Sequence, residues 1–119
     1  MSATYRHISV EHREGVTIAT LTNFELLDRL MTNELQDELV AFVEAEKPNL
    51  LVINFAQVKR CSTETINAIL RCRKRSLENG GQLKLCGMSK EIRDVYRMLR
   101  LEGTVFEIYD TVADAWSAF

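Results

Sequence analysis

The sequence predicts an α/β fold: a mixed, mostly parallel sheet with an antiparallel first strand and helices packed on it. Three observations carry this. The first twenty residues alternate apolar and polar in two runs joined by Arg13-Glu14-Gly15, the pattern of a β-hairpin. Leu50 to Phe55 is apolar except at Asn54, as expected of a strand covered on both faces and therefore central. Beyond Met31, helix-spaced apolar stripes alternate with short strands, at lengths suited to right-handed crossovers in a parallel sheet. The 119 residues fall within the usual size of one domain, taken as 1–119.

Each element has its own signal. Ile8 and Val10 share a face in the first strand, Gly15 supplies a turn residue able to take φ > 0, and Val16 to Leu21 is rich in β-branched residues. Thr22 to Arg29 lacks periodicity and reads as a loop. Met31, Leu35, Leu39, Phe42 and Val43 form one helical stripe with acidic residues outside it; Thr32 or Asn33 caps its start and Pro48 marks its end. Ile66, Ile69, Leu70 and Leu77 form a second stripe, stopped by Asn79-Gly80-Gly81. Gln82 to Cys86 is a strand, and Ser89 caps a third helix bearing Ile92, Val95, Tyr96 and Leu99. Val105 to Ile108 is the last predicted strand, and a final short helix begins at Asp110 or Thr111.

Composition narrows the function. A net charge of −2 gives no general attraction to nucleic acid or an anionic membrane. The N-terminus lacks an apolar stretch of signal-peptide type and no run is long enough to span a bilayer, so a cytoplasmic location is expected. Cys61, Cys72 and Cys86 are odd in number and without C-x-x-C spacing, which predicts reduced thiols in small core or near-surface positions. The basic residues concentrate between 59 and 100 and the acidic ones between 25 and 46, as solvated helix faces or a surface that steers an acidic partner. Exposed aromatics interleaved with them are missing, which disfavours single-stranded nucleic acid.

Catalytic patterns are scarce. His7 and His12 fall on opposite faces of a strand, cannot share a metal, and read as surface or strand-edge residues. No Ser or Cys has a histidine near it in sequence, and neither G-x-x-x-x-G-K-[ST] nor G-x-G-x-x-G occurs in the right setting. Gly87-Met88-Ser89-Lys90 joins a strand to a helix start and is the one place for an anion. The expectation is a protein that is not an enzyme, with no cofactor and no metal.

The segment Val52 to Leu77, VINFAQVKRCSTETINAILRCRKRSL, resembles the signature stretch of the STAS domains of anti-sigma-factor antagonists. In that family a central strand leads through a turn reading roughly Asp-Ser-Ser/Thr-Gly into an amphipathic helix. Asn54 stands where the family's strand has an acidic residue. Downstream, Gly80-Gly81, the following strand and helix, and Leu101, Gly103 and Phe106 are similar to the family's closing pattern with looser spacing. The resemblance covers nearly the whole chain and implies the STAS-like (SpoIIAA-like) fold.

It also implies a bacterial regulator of transcription that binds an anti-sigma kinase or another signalling protein and is switched by phosphorylation. In the turn, the family's Asp falls on Ser62, its two hydroxyl residues on Thr63 and Glu64, and its Gly on Thr65. Glu64 thus occupies the position that is the phosphorylated serine in sporulation-type antagonists, whereas stressosome-type modules use the position of Thr63. Thr63 is accordingly the first phosphoacceptor candidate and Ser62 the second, with Lys59, Arg60, Ser62, Thr63, Glu64 and Thr65 as the partner-binding surface. The alternative is a phosphorylation-independent scaffold, transporter-associated or stressosome-like.

Overall fold

The computed structural model describes residues 5–119. A hairpin of β1 (Ile8–Arg13) and β2 (Val16–Leu21) leads through the two-residue β3 (Glu25–Leu26) into α1 (Arg29–Glu46). Then follow β4 (Leu50–Asn54), β5 (Arg60–Cys61), α2 (Glu64–Glu78), β6 (Gln82–Cys86), α3 (Lys90–Met98), β7 (Ile108–Tyr109) and α4 (Val112–Ser117). The main sheet has the order β1-β2-β4-β6-β7, with β1 antiparallel to β2 and every other pairing parallel. The expected mixed sheet is present, and the apolar strand Leu50–Asn54 lies at its centre.

Side chains of β4 alternate between two cores, as strand geometry requires. Leu51 and Ile53 join Leu35, Leu39 and Phe42 of α1, Ile66 and Ile69 of α2, and Ile92 and Tyr96 of α3. Val52 points the other way, into a smaller cluster with Val16, Ile18, Cys86 and Ala115 of α4. Three helices therefore cover one face and α4 the other.

Several local expectations are corrected. Thr22 to Arg29 is not loop throughout, because Glu25–Leu26 pairs in parallel with Arg60–Cys61 to make a second, two-stranded sheet. The cap of α1 is Asp28, whose carboxylate accepts from the Leu30 amide at 2.6 Å; Thr32 lies inside the helix, buried, and donates to the Arg29 carbonyl. The last strand starts later than Val105. Val105 and Phe106 both donate their amides to the Leu101 carbonyl, closing a turn that drives the Phe106 ring into the core. Leu77 is exposed, since the inward line of α2 runs Ile69, Cys72, Ser76.

His7 is buried rather than a surface residue. Its Nδ1 faces Asn23 Oδ1 and its Nε2 faces Glu34 Oε1, both at 3.0 Å, while Glu38 accepts its backbone amide. His12 is exposed and meets Glu46 at 2.7 Å. Among the described residues no cluster of three or more His, Cys, Asp or Glu could hold a metal, and no helix is long and apolar enough to cross a membrane.

Candidate functional site

The central parallel strands end at one edge of the molecule, where open α/β sheets place their sites. The chain turns there after β4 because Asn54 Oδ1 accepts from the Ala56 amide at 3.0 Å. Gly87, at the matching end of β6, has φ +75°, and a Cβ at that position would lie 2.5 Å from Asn54 Oδ1. Two turns are thus packed against each other, and only glycine fits the second.

From this base the chain runs out and back to the start of α2. The small β3–β5 sheet fixes the return. Phe24 O accepts the Lys59 and Arg60 amides at 2.8 and 3.3 Å, Leu26 O accepts the Ser62 amide at 2.9 Å, and Glu25 pairs with Arg60 at 3.6 Å. Ser62 and Thr63 carbonyls then accept the Thr65 and Ile66 amides, which opens α2.

The candidate residues do not share one environment. Lys59, Arg60 and Thr63 are exposed. Thr63 is the N-cap with φ −63° and ψ −21°, and its side chain makes no capping hydrogen bond. The Ser62 hydroxyl is buried and has no hydrogen-bond partner among the described residues. Glu64 is turned toward α1, meeting Arg29 at 3.4 Å and the Thr32 hydroxyl at 3.5 Å. Thr65 departs from the expected contact surface: it is fully buried, with its hydroxyl beside the Cys61 thiol. It serves the packing of the turn and cannot touch a partner there.

Three residues that the sequence reading left out flank this turn. Phe24, Leu27 and Leu30 are 62%, 52% and 66% exposed. Apolar side chains set among Glu25, Asp28 and Arg29 were the available signal, since contiguous exposed apolar surface marks contact sites. Across from the turn, α3 presents Ile92, Val95 and Tyr96, and together with Leu27, Ser62 and Ile66 they line a groove of about 680 Å³.

Thiol chemistry has little support. Burial pushes Cys72 and Cys86 up to about 12. Burial also raises Cys61, with the Thr65 hydroxyl opposing the shift in part. All three therefore stay protonated near neutral pH and are poor nucleophiles. The basic stretch is partly matched within the chain: Arg75 meets Glu44, Arg93 meets Glu102 and Asp110, and buried Lys84 meets Glu107.

A family model described as STAS domain matches residues 7–115. No curated protein matches the chain. Among solved structures it is similar to an anti-sigma factor antagonist from Mycobacterium paratuberculosis, at 22% identity and a TM-score of 0.79 over 93% of this chain and 91% of that one. It is similar to the Bacillus cell fate determinant SpoIIAA in its phosphorylated form, at 15% identity and 0.68 over 93% and 97%. It is also similar to a chain of the stressosome, a signal integration and transduction hub, at 9% identity and 0.68 over 92% and 94%. At such identities the likeness is one of fold.

Proposed function

Because the chain belongs to the STAS domain family, we propose that it is a regulatory protein–protein interaction module that binds an anti-sigma kinase and is switched by phosphorylation of Thr63. The observation that carries this reading is the contrast between two neighbouring hydroxyls. Thr63 is exposed and free of any capping bond, whereas Ser62 Oγ is buried. A kinase can reach the first without unfolding the turn, and Thr63 therefore ranks before Ser62.

The electrostatics are compatible with a switch. Phosphorylation adds about −1.5 to −2 charge at pH 7. At the start of α2 that charge meets the positive end of the helix dipole, so the fold tolerates it. The same charge alters a docking surface formed by Phe24, Leu27 and Leu30 with Lys59 and Arg60 at its side. Apolar anchors with a charged border are what a switchable contact needs. The mode of action is binding, without catalysis, in the cytoplasm of a bacterium.

The test is incubation with ATP and an anti-sigma kinase recovered from the native organism by pull-down. One phosphate should be added, and tandem mass spectrometry should find it on Thr63. Thr63→Ala should abolish the modification and keep binding, while Thr63→Asp should weaken binding several-fold. Phosphate on Ser62, or none at all, would remove Thr63 from the mechanism.

Glu64 favours a second reading, a phosphorylation-independent scaffold. It puts a permanent carboxylate at the position where the sporulation-type motif has its acceptor. A scaffold would assemble with its partners identically before and after kinase treatment, and Thr63→Asp would change nothing.

A further inference from the structure

α1 and α2 pack side by side, and a furrow runs along the outside of their seam. Asn67, Arg71, Lys74 and Glu78 stand at i, i+4, i+7 and i+11 and therefore form one line along α2. Asn33, Gln36 and Asp37 of α1 supply the facing wall. Two clefts of about 540 and 490 Å³ open along the seam, and both include Gln36, Arg71 and Lys74 in their lining. They are thus one furrow. From Asn67 to Glu78 it is about 16 Å long at the helical rise per residue, room for about five extended residues of another chain. Its walls are held firmly, since Leu35, Leu39 and Phe42 of α1 and Ile69 and Cys72 of α2 are fully buried.

Charge is spread unevenly along it. At the end near the start of α2, Glu64 meets Arg29 at 3.4 Å. At the other end Arg75 meets Glu44 at 2.8 Å and Glu78 at 3.6 Å. Arg71 and Lys74 lie between these pairs, exposed and without an ion-pair partner among the described residues. The carboxamides of Asn33, Gln36 and Asn67 line the upper cleft with them. Among the described residues lining that cleft the one carboxylate is Glu64, which Arg29 already engages. Asp37, in the lower cleft, is an acid without an ion-pair partner among the described residues.

We propose that this furrow docks an extended acidic segment of a partner protein, with the carboxylates of that segment against Arg71 and Lys74. Two unmatched cations on one line of a helix complement a pair of carboxylates, and such charges set encounter and register. The carboxamides beside them each carry donors and an acceptor, which is the complement of a peptide group. Asp37 gives the site a direction: acidic residues are favoured toward the start of α2, and a neutral or basic residue fits toward its end. Nucleic acid fits less well. Glu64, Asp37 and Glu78 flank the cations on both sides, and among the described residues no aromatic side chain lines either cleft for a base to stack on. The furrow is on the α1 flank of α2 and needs neither a kinase nor a phosphate, so it stands or falls separately from the switch at Thr63.

The probe is a capped hexapeptide, Lys-Gly-Glu-Glu-Gly-Ala, titrated at low salt into the unmodified, isotope-labelled chain and followed by NMR. Saturable shifts should appear at the side-chain amides of Asn33, Gln36 and Asn67 and at the backbone amides of Arg71 and Lys74. Added salt should weaken the binding. The same peptide with glutamine in place of both glutamates should bind about tenfold more weakly. Arg71→Gln and Lys74→Gln should each weaken binding about two- to fivefold, the size of an exposed ion pair, and should leave the fold intact because both side chains are exposed. Asp37→Asn should strengthen binding about twofold. Absence of saturable shifts, equal binding of the glutamine peptide, or indifference of both cation variants would overturn the docking site. Shifts centred on Phe24, Leu27 and Lys59 would overturn it as well. A thymidine oligonucleotide that bound at the same residues with equal affinity would put nucleic acid in place of the protein segment. Indifference of Asp37→Asn would overturn the direction given to the site.

Discussion

Helix α2 packs against α1 on one flank and faces α3 across an open groove on the other. The α1 flank is ion-paired over a buried core. Leu35, Leu39, Phe42 and Val43 are fully buried, and charges meet across the seam, with Arg75 on Glu44 at 2.8 Å and Arg29 on Glu64 at 3.4 Å. The groove flank leaves apolar side chains open, and the hydroxyls of two of its residues, Ser62 and Tyr96, have no hydrogen-bond partner among the described residues. The clefts along the α1 seam are lined mostly by polar and charged side chains such as Asn67, Arg71 and Lys74, whereas the groove beside the turn is lined mostly by open apolar ones. Such local violations are expected where a protein meets its ligands rather than where it is held together.

The largest predicted effect comes from setting one leucine of each flank against the other. Leu39→Ala empties a fully buried site on α1 and should cost about 2–5 kcal/mol, read as a lower urea midpoint. Leu27→Ser changes a half-exposed site and should move stability by only about 0.5 kcal/mol in either direction. The order should invert in a binding titration with the kinase partner, where Leu27→Ser weakens and a still-folded Leu39→Ala does not. Equal losses of stability would erase the distinction between the flanks.

A second effect, of middle size, concerns the wall that α3 gives the groove. Arg93 ties that helix to the far strand: its guanidinium reaches Glu102 at 2.9 Å, Asp110 at 2.7 Å and the Ile108 carbonyl at 3.0 Å. Arg93→Ala should cost about 1.5–3 kcal/mol, the range for hydrogen bonds to charged groups. Hydrogen bonds from Arg93 hold the Glu102 carboxyl below the ordinary glutamate range, and a hydrogen bond from Lys84 does the same for Glu107. A depressed native value means that the stabilisation is complete above the unfolded-state glutamate pKa, about 4.3, and is lost as pH falls through the lower native values. Thermal melts from pH 7 downward should therefore be flat until about that point and then decline. In Arg93→Ala the decline should be shallower, since Glu102 has lost its principal partner.

Much of this architecture was legible because long elements repeat their signal. The stripe Leu35, Leu39, Phe42 and the run Leu50 to Ile53 need no context to be read. Elements of two residues carry no period, so β3 and β5 were invisible, and with them the exposed Phe24 and Leu27 that they hold beside the turn. Phe106 misled because a buried aromatic in a turn looks like one in a strand. The turn at Ser62–Thr63 was found through its resemblance to a family motif. Which of its hydroxyls is exposed could not be found that way, because it depends on how the return from β5 is pinned by Leu26. The α3 wall is thirty residues downstream in sequence, and local patterns do not report such a distance.

The smallest predicted effect bears on Glu64, which stands between the two flanks. Its carboxylate lines the α1 seam, touching Arg29 and Thr32, and not the groove beside Thr63. It is also the acidic residue in the first turn of α2, where it complements the helix dipole. Removing it in Glu64→Ala should cost about 0.3–1 kcal/mol, a size that salt should reduce. Binding of the kinase partner should stay unchanged, because the charge faces α1. A permanent phosphate mimic predicts the reverse. Stability would hardly move, Glu64→Ser would tighten binding, and Thr63→Asp would add little because the charge is already present. Urea unfolding and a binding titration on Glu64→Ala and Glu64→Ser decide between them. Tighter binding by both variants would move Glu64 from the seam to the switch.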